Sequence, residues 1–177
     1  MERIQASGHR LDRLIHDVLA YSKSSSDHKE LAVFDLDKLV REMVETYPNL
    51  REANIEIVPS SAKVRGYEVA LVQCISNLLA NAIKFVPKNS VPRVKVWTET
   101  ANGRLRLWVQ DNGIGISPHD QERIFDVFSR VHSNEEYEGT GLGLCMVKKA
   151  VEKMDGRVGV ESELGQGSRF WIELQSA

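Results

Sequence analysis

The sequence lacks several features that assign a protein to a class at once. Its 177 residues include two cysteines, Cys74 and Cys145, without a C-x-x-C spacing, which excludes a disulfide scaffold and predicts two buried free thiols. No apolar run approaches the ~20 residues of a membrane span, and no cationic start precedes an apolar signal core. Lys plus Arg (23) nearly balances Asp plus Glu (25), which argues against a nucleic-acid binder with a broad basic surface. We therefore expect a soluble chain, and its composition also fits a piece of a larger, membrane-anchored protein.

The first residues carry a helical pattern of their own. Over residues 2–23, apolar side chains recur at alternating steps of three and four, as along the seam of a helix bundle. One helix with such a stripe needs partner helices to bury it. The polar run that follows is typical of a linker. We predict a bundle helix in residues 1–24, a linker in 25–32 and a separate domain in 33–177.

Beyond residue 33, strand-like and helix-like patterns alternate, although not regularly enough for a doubly wound parallel fold. The fold class predicted is a two-layer α/β sandwich with a mixed, mostly antiparallel sheet and helices on one face, preceded by one long N-terminal helix. The expected strands are 33–36, 55–58, 94–98, 105–109, 157–162 and 168–174, with a hairpin turn at 102–103. The expected helices are 38–47, capped by Asp37, then 67–85, 118–128 and 142–154.

Glycine is concentrated in the second half of the chain. Ten of the 12 glycines lie from residue 103 onward, and seven of these form three compact groups, which favours backbone packed against a ligand. The middle group, residues 139–144, opens a helix, where free N–H groups and the helix dipole attract phosphate. Three familiar phosphate sites are excluded. No strand directly precedes the glycines, as a dinucleotide-binding fingerprint requires, and the sequence has neither the Gly-Lys-Ser/Thr of a Walker motif nor the motifs of protein kinases.

A row of polar side chains marks the helix predicted at 67–85. Gln73, Asn77, Asn81 and Lys84 are spaced four, four and three, which places them within about 80° of arc. Asparagine is a poor helix former, so two of them one turn apart call for a reason. The row is either a solvated face or a set of amide oxygens for a hard cation, with Lys84 meeting a phosphate.

A carboxylate follows the strand predicted at 105–109. Asp111 is succeeded by Gly113 and Gly115. Such a segment is either a plain turn or an acceptor for the amino group of a base, with the glycines allowing the ring to come close.

Together these segments resemble the ATP-binding domain of sensor histidine kinases, in the GHKL ATPase and kinase superfamily. The resemblance runs from about residue 33 to the end, and the helix at 2–23 is similar to the second helix of the family's dimerisation hairpin. It implies the Bergerat fold shared with DNA gyrase, with ATP and Mg²⁺ bound between the 67–85 helix and a lid over roughly 129–140. The matching segments are 77–85 (N box), 111–116 (first glycine box), 124–128 (F box), 139–144 (second glycine box) and 165–168 (last glycine box).

The resemblance also implies roles for single residues. Asn81 matches the magnesium ligand, whereas Asn77, Lys84 and Arg130 match groups beside the phosphates and are the expected catalytic residues. Asp111 matches the aspartate that reads adenine. The other residues implied in nucleotide binding are Phe85, which flanks the nucleotide, and Gly113, Gly115, Ile116, Phe128, Gly139, Thr140, Gly141, Leu142, Gly143, Leu144 and Ser168.

The family's phosphoacceptor motif, a histidine, an acidic residue and then Arg-Thr-Pro, does not occur in this sequence. His16-Asp17 has the acid, but Val18-Leu19-Ala20 follows. We therefore expect a chain that begins after the acceptor helix, binds Mg-ATP and does not phosphorylate itself efficiently. The implied partners are the phosphoacceptor helix of the same cytoplasmic parent protein, a homodimer, and the receiver domain of a response regulator. Dimerisation of this chain itself is left open.

Two other functions fit the same residues. One is a serine kinase of the anti-sigma type on the same fold, which would act on a partner protein. The other is a non-enzymatic nucleotide-binding module that only binds partners.

Overall fold

The computed structural model describes residues 31–51, 53–129, 131, 137 and 140–177. The helix predicted at 2–23 lies outside the described residues, as do Arg130 and Gly139. Among the helices of the described ranges, none combines the length and the apolar character that crossing a membrane requires.

Seven strands, four helices and one 3₁₀ turn are found in the described ranges, and the 3₁₀ turn, Arg123–Phe125, lies between the fifth strand and the last helix. The strands are β1 (Ala32–Asp35), β2 (Asn54–Ile57), β3 (Lys63–Gly66), β4 (Arg93–Ala101), β5 (Arg104–Asp111), β6 (Arg157–Glu163) and β7 (Gly167–Gln175). The helices are α1 (Leu36–Thr46), α2 (Pro48–Arg51), α3 (Glu68–Lys84) and α4 (Gly143–Lys153).

Five of the strands form one sheet in the order β2-β4-β5-β7-β6, while β1 and β3 pair separately. β2 runs parallel to β4, and the other neighbours are antiparallel. The β4–β5 hairpin turns at Asn102 and Gly103, both with positive φ (54° and 72°), as a two-residue turn of this kind requires. The mixed, mostly antiparallel α/β sandwich predicted from the sequence is therefore confirmed.

The core lies between this sheet and the helices. Leu105, Leu107 and Val109 of β5 alternate toward the helices, each at most 1 % exposed, because successive side chains of a strand point to opposite faces. α3 presents its apolar stripe to them, and Cys74 and Cys145 are buried thiols that form no disulfide, as predicted. The buried residues of α3 are Leu71, Cys74, Ile75, Leu78, Leu79 and Ala82.

A row of tryptophans covers the opposite face of the sheet. Trp97, Trp108 and Trp171 are register partners across β4, β5 and β7. The rings of Trp97 and Trp108 stack, with centroids 5.6 Å apart. The guanidinium of Arg106 lies 4.0 Å from the centre of the Trp171 ring. The carboxylate of Glu99 accepts an indole N–H from Trp97 and from Trp108, each at 3.1 Å. Ring contacts and two indole hydrogen bonds thus hold the row together on this face of the sheet.

Three local predictions were wrong. The cap of α1 is Asp35 and not Asp37: its side chain accepts the N–H of Lys38 at 3.1 Å, so the helix begins at Leu36. The helix expected at 118–128 is a set of turns with a 3₁₀ turn at 123–125. β3 was missed because Val64 is its one buried apolar side chain, too little for a period of two.

Candidate functional site

The polar row of α3 faces a cavity of about 360 Å³. Because the apolar stripe of α3 packs on the sheet, Gln73, Asn77, Asn81 and Lys84 are left along one side of the helix, and all four line this cavity. Gln73 is exposed, whereas the other three are half-buried. The structure therefore brings the four side chains of the row together on the wall of one cavity.

Asp111, the last residue of β5, forms one end of the cavity. It is only 7 % exposed, and its Oδ1 accepts the backbone N–H of Gly113 at 2.8 Å and of Ser168 at 3.1 Å. Burial raises the pKa of Asp111 to about 6, although the two N–H donors act in the opposite direction. Since both bonds go to Oδ1, Oδ2 is the carboxylate oxygen best placed to accept a hydrogen bond from a ligand.

The loop after Asp111 is held by its own backbone. Ile114 donates its N–H to the carbonyl of Phe85 at 2.9 Å, which ties the loop to the end of α3. A Cβ on Gly113 would come 2.4 Å from that same carbonyl oxygen, and one on Gly115 would come 2.0 Å from the carbonyl oxygen of Glu163. Neither position has room for a side chain. The glycines here serve close packing of backbone on backbone.

The far end of the cavity is formed by the first turn of α4 and the residues before it. The side-chain amide of Asn77 donates to the carbonyl of Gly143 at 3.3 Å and joins the two helices. A Cβ on Gly143 would meet only the Asn77 side chain, at 3.6 Å. Protein packing therefore does not require glycine at this position, and the space it leaves belongs to the cavity. Unpaired N–H groups at a helix start favour an anion there.

Two aromatic rings meet beside the Asp111 end. Phe85, directly after α3, and Tyr137 have ring centroids 5.3 Å apart with planes inclined by 46°. The ammonium of Lys84 lies 4.4 Å from the centre of the Phe85 ring. All three side chains line the cavity. Phe85 and Tyr137 thus form an aromatic wall of the cavity, and the Lys84 ammonium lies against it.

Most of the residues predicted to bind nucleotide line this one cavity. Phe128 does not: its backbone φ of 61° turns the side chain outward, where it is 59 % exposed. Leu142 is 2 % exposed and packs in a small cluster with Cys145 and Met146. Gly113 lies buried behind Asp111. The predicted residues that line the cavity are Asn77, Asn81, Lys84, Phe85, Asp111, Gly115, Ile116, Thr140, Gly141, Gly143, Leu144 and Ser168.

Further lining residues were not predicted. Ala80 had a usable signal, since it lies three residues after Asn77 and four before Lys84. The other unpredicted lining residues are mostly apolar, and no sequence pattern separates these apolar residues from core residues. This second group comprises Ile114, Ile124, Ser129, Val131, Tyr137, Met146 and Phe170.

The site suits a ligand with a hydrogen-bonding ring at one end and an anionic tail at the other. The Asp111 carboxylate and the aromatic rings form the first end, with the Lys84 ammonium on the Phe85 ring, and the Asn77 amide and the start of α4 form the second. In the described ranges, no cluster of three or more His, Cys, Asp or Glu side chains offers a ready-made metal site.

Comparison with known proteins identifies the family of this chain. Residues 66–177 match the family model "Histidine kinase-, DNA gyrase B-, and HSP90-like ATPase". The phytochrome-like protein Cph1 of Synechocystis is 37 % identical over 166 residues, covering 93 % of this chain and 22 % of Cph1. Sensor histidine kinase AruS of Pseudomonas aeruginosa is 47 % identical over 117 residues, covering 64 % of this chain and 12 % of AruS. Full-length ShkA, solved in complex with AMPPNP, superposes with a TM-score of 0.78 at 33 % identity, covering 99 % of this chain and 38 % of that one.

The chain belongs to this ATPase family, and it carries an ATP-binding catalytic domain of the histidine kinase type. The serine-kinase and binding-module alternatives are not favoured by these relatives. The chain spans about a fifth or less of the length of the two relatives named first.

Proposed function

We propose that the cavity binds Mg-ATP and that the domain transfers the γ-phosphate to a histidine on a dimerisation helix of its parent protein. The observation that carries this proposal is the convergence of Asn77, Asn81 and Lys84 with Asp111 on one cavity of about 360 Å³. A nucleotide requires both kinds of contact in one site, since its base needs a hydrogen-bonding partner and its phosphates need amide and ammonium groups.

At the base end, Asp111 would read the 6-amino group of adenine. Its Oδ1 is already engaged by two backbone N–H groups, so Oδ2 would accept the amino proton. A guanine presents a carbonyl oxygen at the same place and would face the carboxylate without a proton to share. Asp111 thereby favours adenine, and Ile116 and Ser168 complete this end of the cavity.

At the other end, Asn77, Lys84 and the start of α4 would hold the triphosphate. Thr140, Gly141, Gly143 and Leu144 line the cavity there. Lys84 would move from the Phe85 ring toward the phosphates, because a phosphate attracts an ammonium more strongly than a ring does. Arg130 and Gly139 stay predicted members of this end.

The residues present fit a magnesium ion that is bound mainly by the phosphates of a nucleotide. Mg²⁺ accepts few protein oxygens and takes the rest from water and phosphate, and the half-buried amide of Asn81 in the cavity is such an oxygen. Mg²⁺ would supply charge neutralisation at the phosphate oxygens.

In the transfer, the bond from the γ-phosphorus to the oxygen bridging it to the β-phosphorus breaks, and a bond to an imidazole nitrogen of the acceptor histidine forms. ADP leaves with the bridging oxygen. The domain contributes position and charge compensation and no covalent chemistry, as phosphoryl transfer requires. Relay to a receiver domain and a homodimeric parent protein belong to the same proposal.

Calorimetric titration tests the binding step. Wild type should bind ATP more tightly with Mg²⁺ than with EDTA, and Asn81→Ala should remove most of that difference. Asn49→Ala is the matched control, because Asn49 is exposed on α2 and is not a lining residue. A wild type without measurable ATP binding would overturn the proposal.

Labelled ATP tests the transfer step. Incubated with a separately supplied histidine-bearing hairpin, the domain should label that hairpin, and the label should be lost in acid and kept in alkali. A label that survives acid would indicate phosphoserine and the serine-kinase alternative.

A further inference from the structure

Tyr137 stands out among the lining residues because no motif accounts for it. It is half-buried, lines the same cavity as Asp111, and its ring packs on that of Phe85. Its contact partner lies at the base end of the cavity, away from the first turn of α4.

Phe85 is fixed relative to the base-reading carboxylate. Its carbonyl accepts the N–H of Ile114 at 2.9 Å, and Gly113, which donates to Asp111, packs against the same carbonyl. The Tyr137 ring, which contacts Phe85, therefore lies near the Asp111 end of the cavity. The tilt of 46° between the two rings leaves them in contact without a parallel stack.

An adenine paired with Asp111 needs apolar surface on both ring faces. Flat bases gain affinity when they stack on aromatic side chains, and this gain depends little on the base's hydrogen-bonding edge. The cavity holds two aromatic rings beside Asp111, and a base entering between them would replace their mutual contact with two contacts of its own.

We propose that Tyr137 is a base-contacting residue, whose ring covers one face of the purine while Phe85 bounds the other. This inference rests on the proposed function, since it assumes that a nucleotide enters with its base toward Asp111. The hydroxyl group takes no part in it, so phenylalanine should serve equally well.

The experiment compares two ligands on the same variants. Tyr137→Ala should weaken ATP binding about 5- to 50-fold, measured by calorimetry in the presence of Mg²⁺. Binding of inorganic tripolyphosphate, which has no base, should change less than twofold. Tyr137→Phe should bind both ligands as wild type does, and so should Tyr47→Ala, an exposed tyrosine at the end of α1 that does not line the cavity.

A second ligand separates Tyr137 from Asp111. Purine riboside triphosphate lacks the 6-amino group and keeps the ring faces. Tyr137→Ala should weaken its binding by the same factor as for ATP, whereas Asp111→Asn should affect it much less than it affects ATP.

Three results would overturn the inference: unchanged ATP affinity in Tyr137→Ala, an equal loss for tripolyphosphate, or tighter ATP binding, which would mean that the tyrosine competes with the base. If wild type binds no ATP, the proposed function fails. If wild type binds ATP and Tyr137→Ala binds it equally well, only this inference fails.

Discussion

The two ends of the cavity are built in different ways. At the Asp111 end, backbone groups from β5, the end of α3 and the β6–β7 hairpin hold one another, with the Ser162 hydroxyl accepting the Ile116 N–H at 2.8 Å and donating to the Gly167 carbonyl at 2.8 Å. At the α4 end, the helices are joined at the cavity by a side-chain bond of 3.3 Å from Asn77 to Gly143. The Asp111 end is thus part of the fold, whereas the α4 end depends on side chains that a ligand can rearrange. Changes at the first end should therefore cost stability, and changes at the second should cost binding alone.

Gly115→Ala should give the largest effect. The new Cβ would lie 2.0 Å from the Glu163 carbonyl oxygen at a backbone φ of 72°, so the hairpin or the loop must shift. We expect the free energy of unfolding to fall by about 2–4 kcal/mol, measured by urea denaturation.

Gly103→Ala is the control, because Gly103 has the same φ of 72° and nothing within 4 Å of its Cβ position. It should cost only about 1 kcal/mol, the strain of a positive φ alone. Equal losses in the two variants would show that the close approach at Gly115 contributes nothing.

Asp111→Asn should come next and should separate binding from folding. An amide keeps one oxygen for the N–H groups of Gly113 and Ser168 but turns an N–H donor toward the amino group of adenine. ATP affinity should fall about 10- to 100-fold by calorimetry. Asp126→Asn, an exposed carboxylate, should leave affinity unchanged. Wild-type affinity in Asp111→Asn would remove Asp111 from base recognition.

The pH dependence of stability should show the cost of burying that carboxylate. Because the pKa of Asp111 is raised to about 6, the native chain keeps a proton that the unfolded chain loses from about pH 4. The contribution of this group to the free energy of unfolding should therefore fall by about 1–3 kcal/mol as pH rises from 4 to 6, and it should stay constant at higher pH.

Asp111→Asn supplies the reference for this measurement, since it has no titrating group there. The difference in unfolding free energy between wild type and variant should change over pH 4–6, with the variant relatively more stable at pH 7. Parallel pH profiles for the two proteins would contradict the assignment.

Asn77→Ala should have the smallest effect on the fold. Its bond to Gly143 is long and half-buried, so the free energy of unfolding should fall by less than about 1 kcal/mol. ATP affinity should nevertheless fall about tenfold, because an amide beside the phosphates is lost. A loss of stability as large as that of Gly115→Ala would show that the α4 end is also part of the core.

The site residues that could be predicted from the sequence are those whose chemistry leaves a recognisable pattern. The row from Asn77 to Lys84 could be predicted because polar residues at helical spacing are unusual on a helix that is otherwise apolar. Asp111 could be predicted from its place between a strand and two glycines. The outward turn of Phe128 could not, because a positive φ at phenylalanine depends on the surrounding loops.

The apolar lining could not be predicted for a different reason. Phe170 and Met146 look like core residues in the sequence, and only the packing of β7 against α4 puts them at the cavity wall. Ser162 forms hydrogen bonds that fix the Asp111 end, yet a serine in an edge strand has no distinctive signal in the sequence. The predicted bounds of strands lay within a few residues of the observed ones where apolar and polar residues alternate clearly, as in β5. β3 has no such alternation and was not predicted.

The tryptophan row has a practical consequence. All three indoles of the chain lie on the sheet face away from the cavity, and the Trp108 ring is 5 % exposed. Intrinsic fluorescence therefore monitors the integrity of the sheet, with little direct response to a molecule entering between the helices. A thermal melt followed by this emission, with and without nucleotide, would yield the ligand's stabilising effect on the fold.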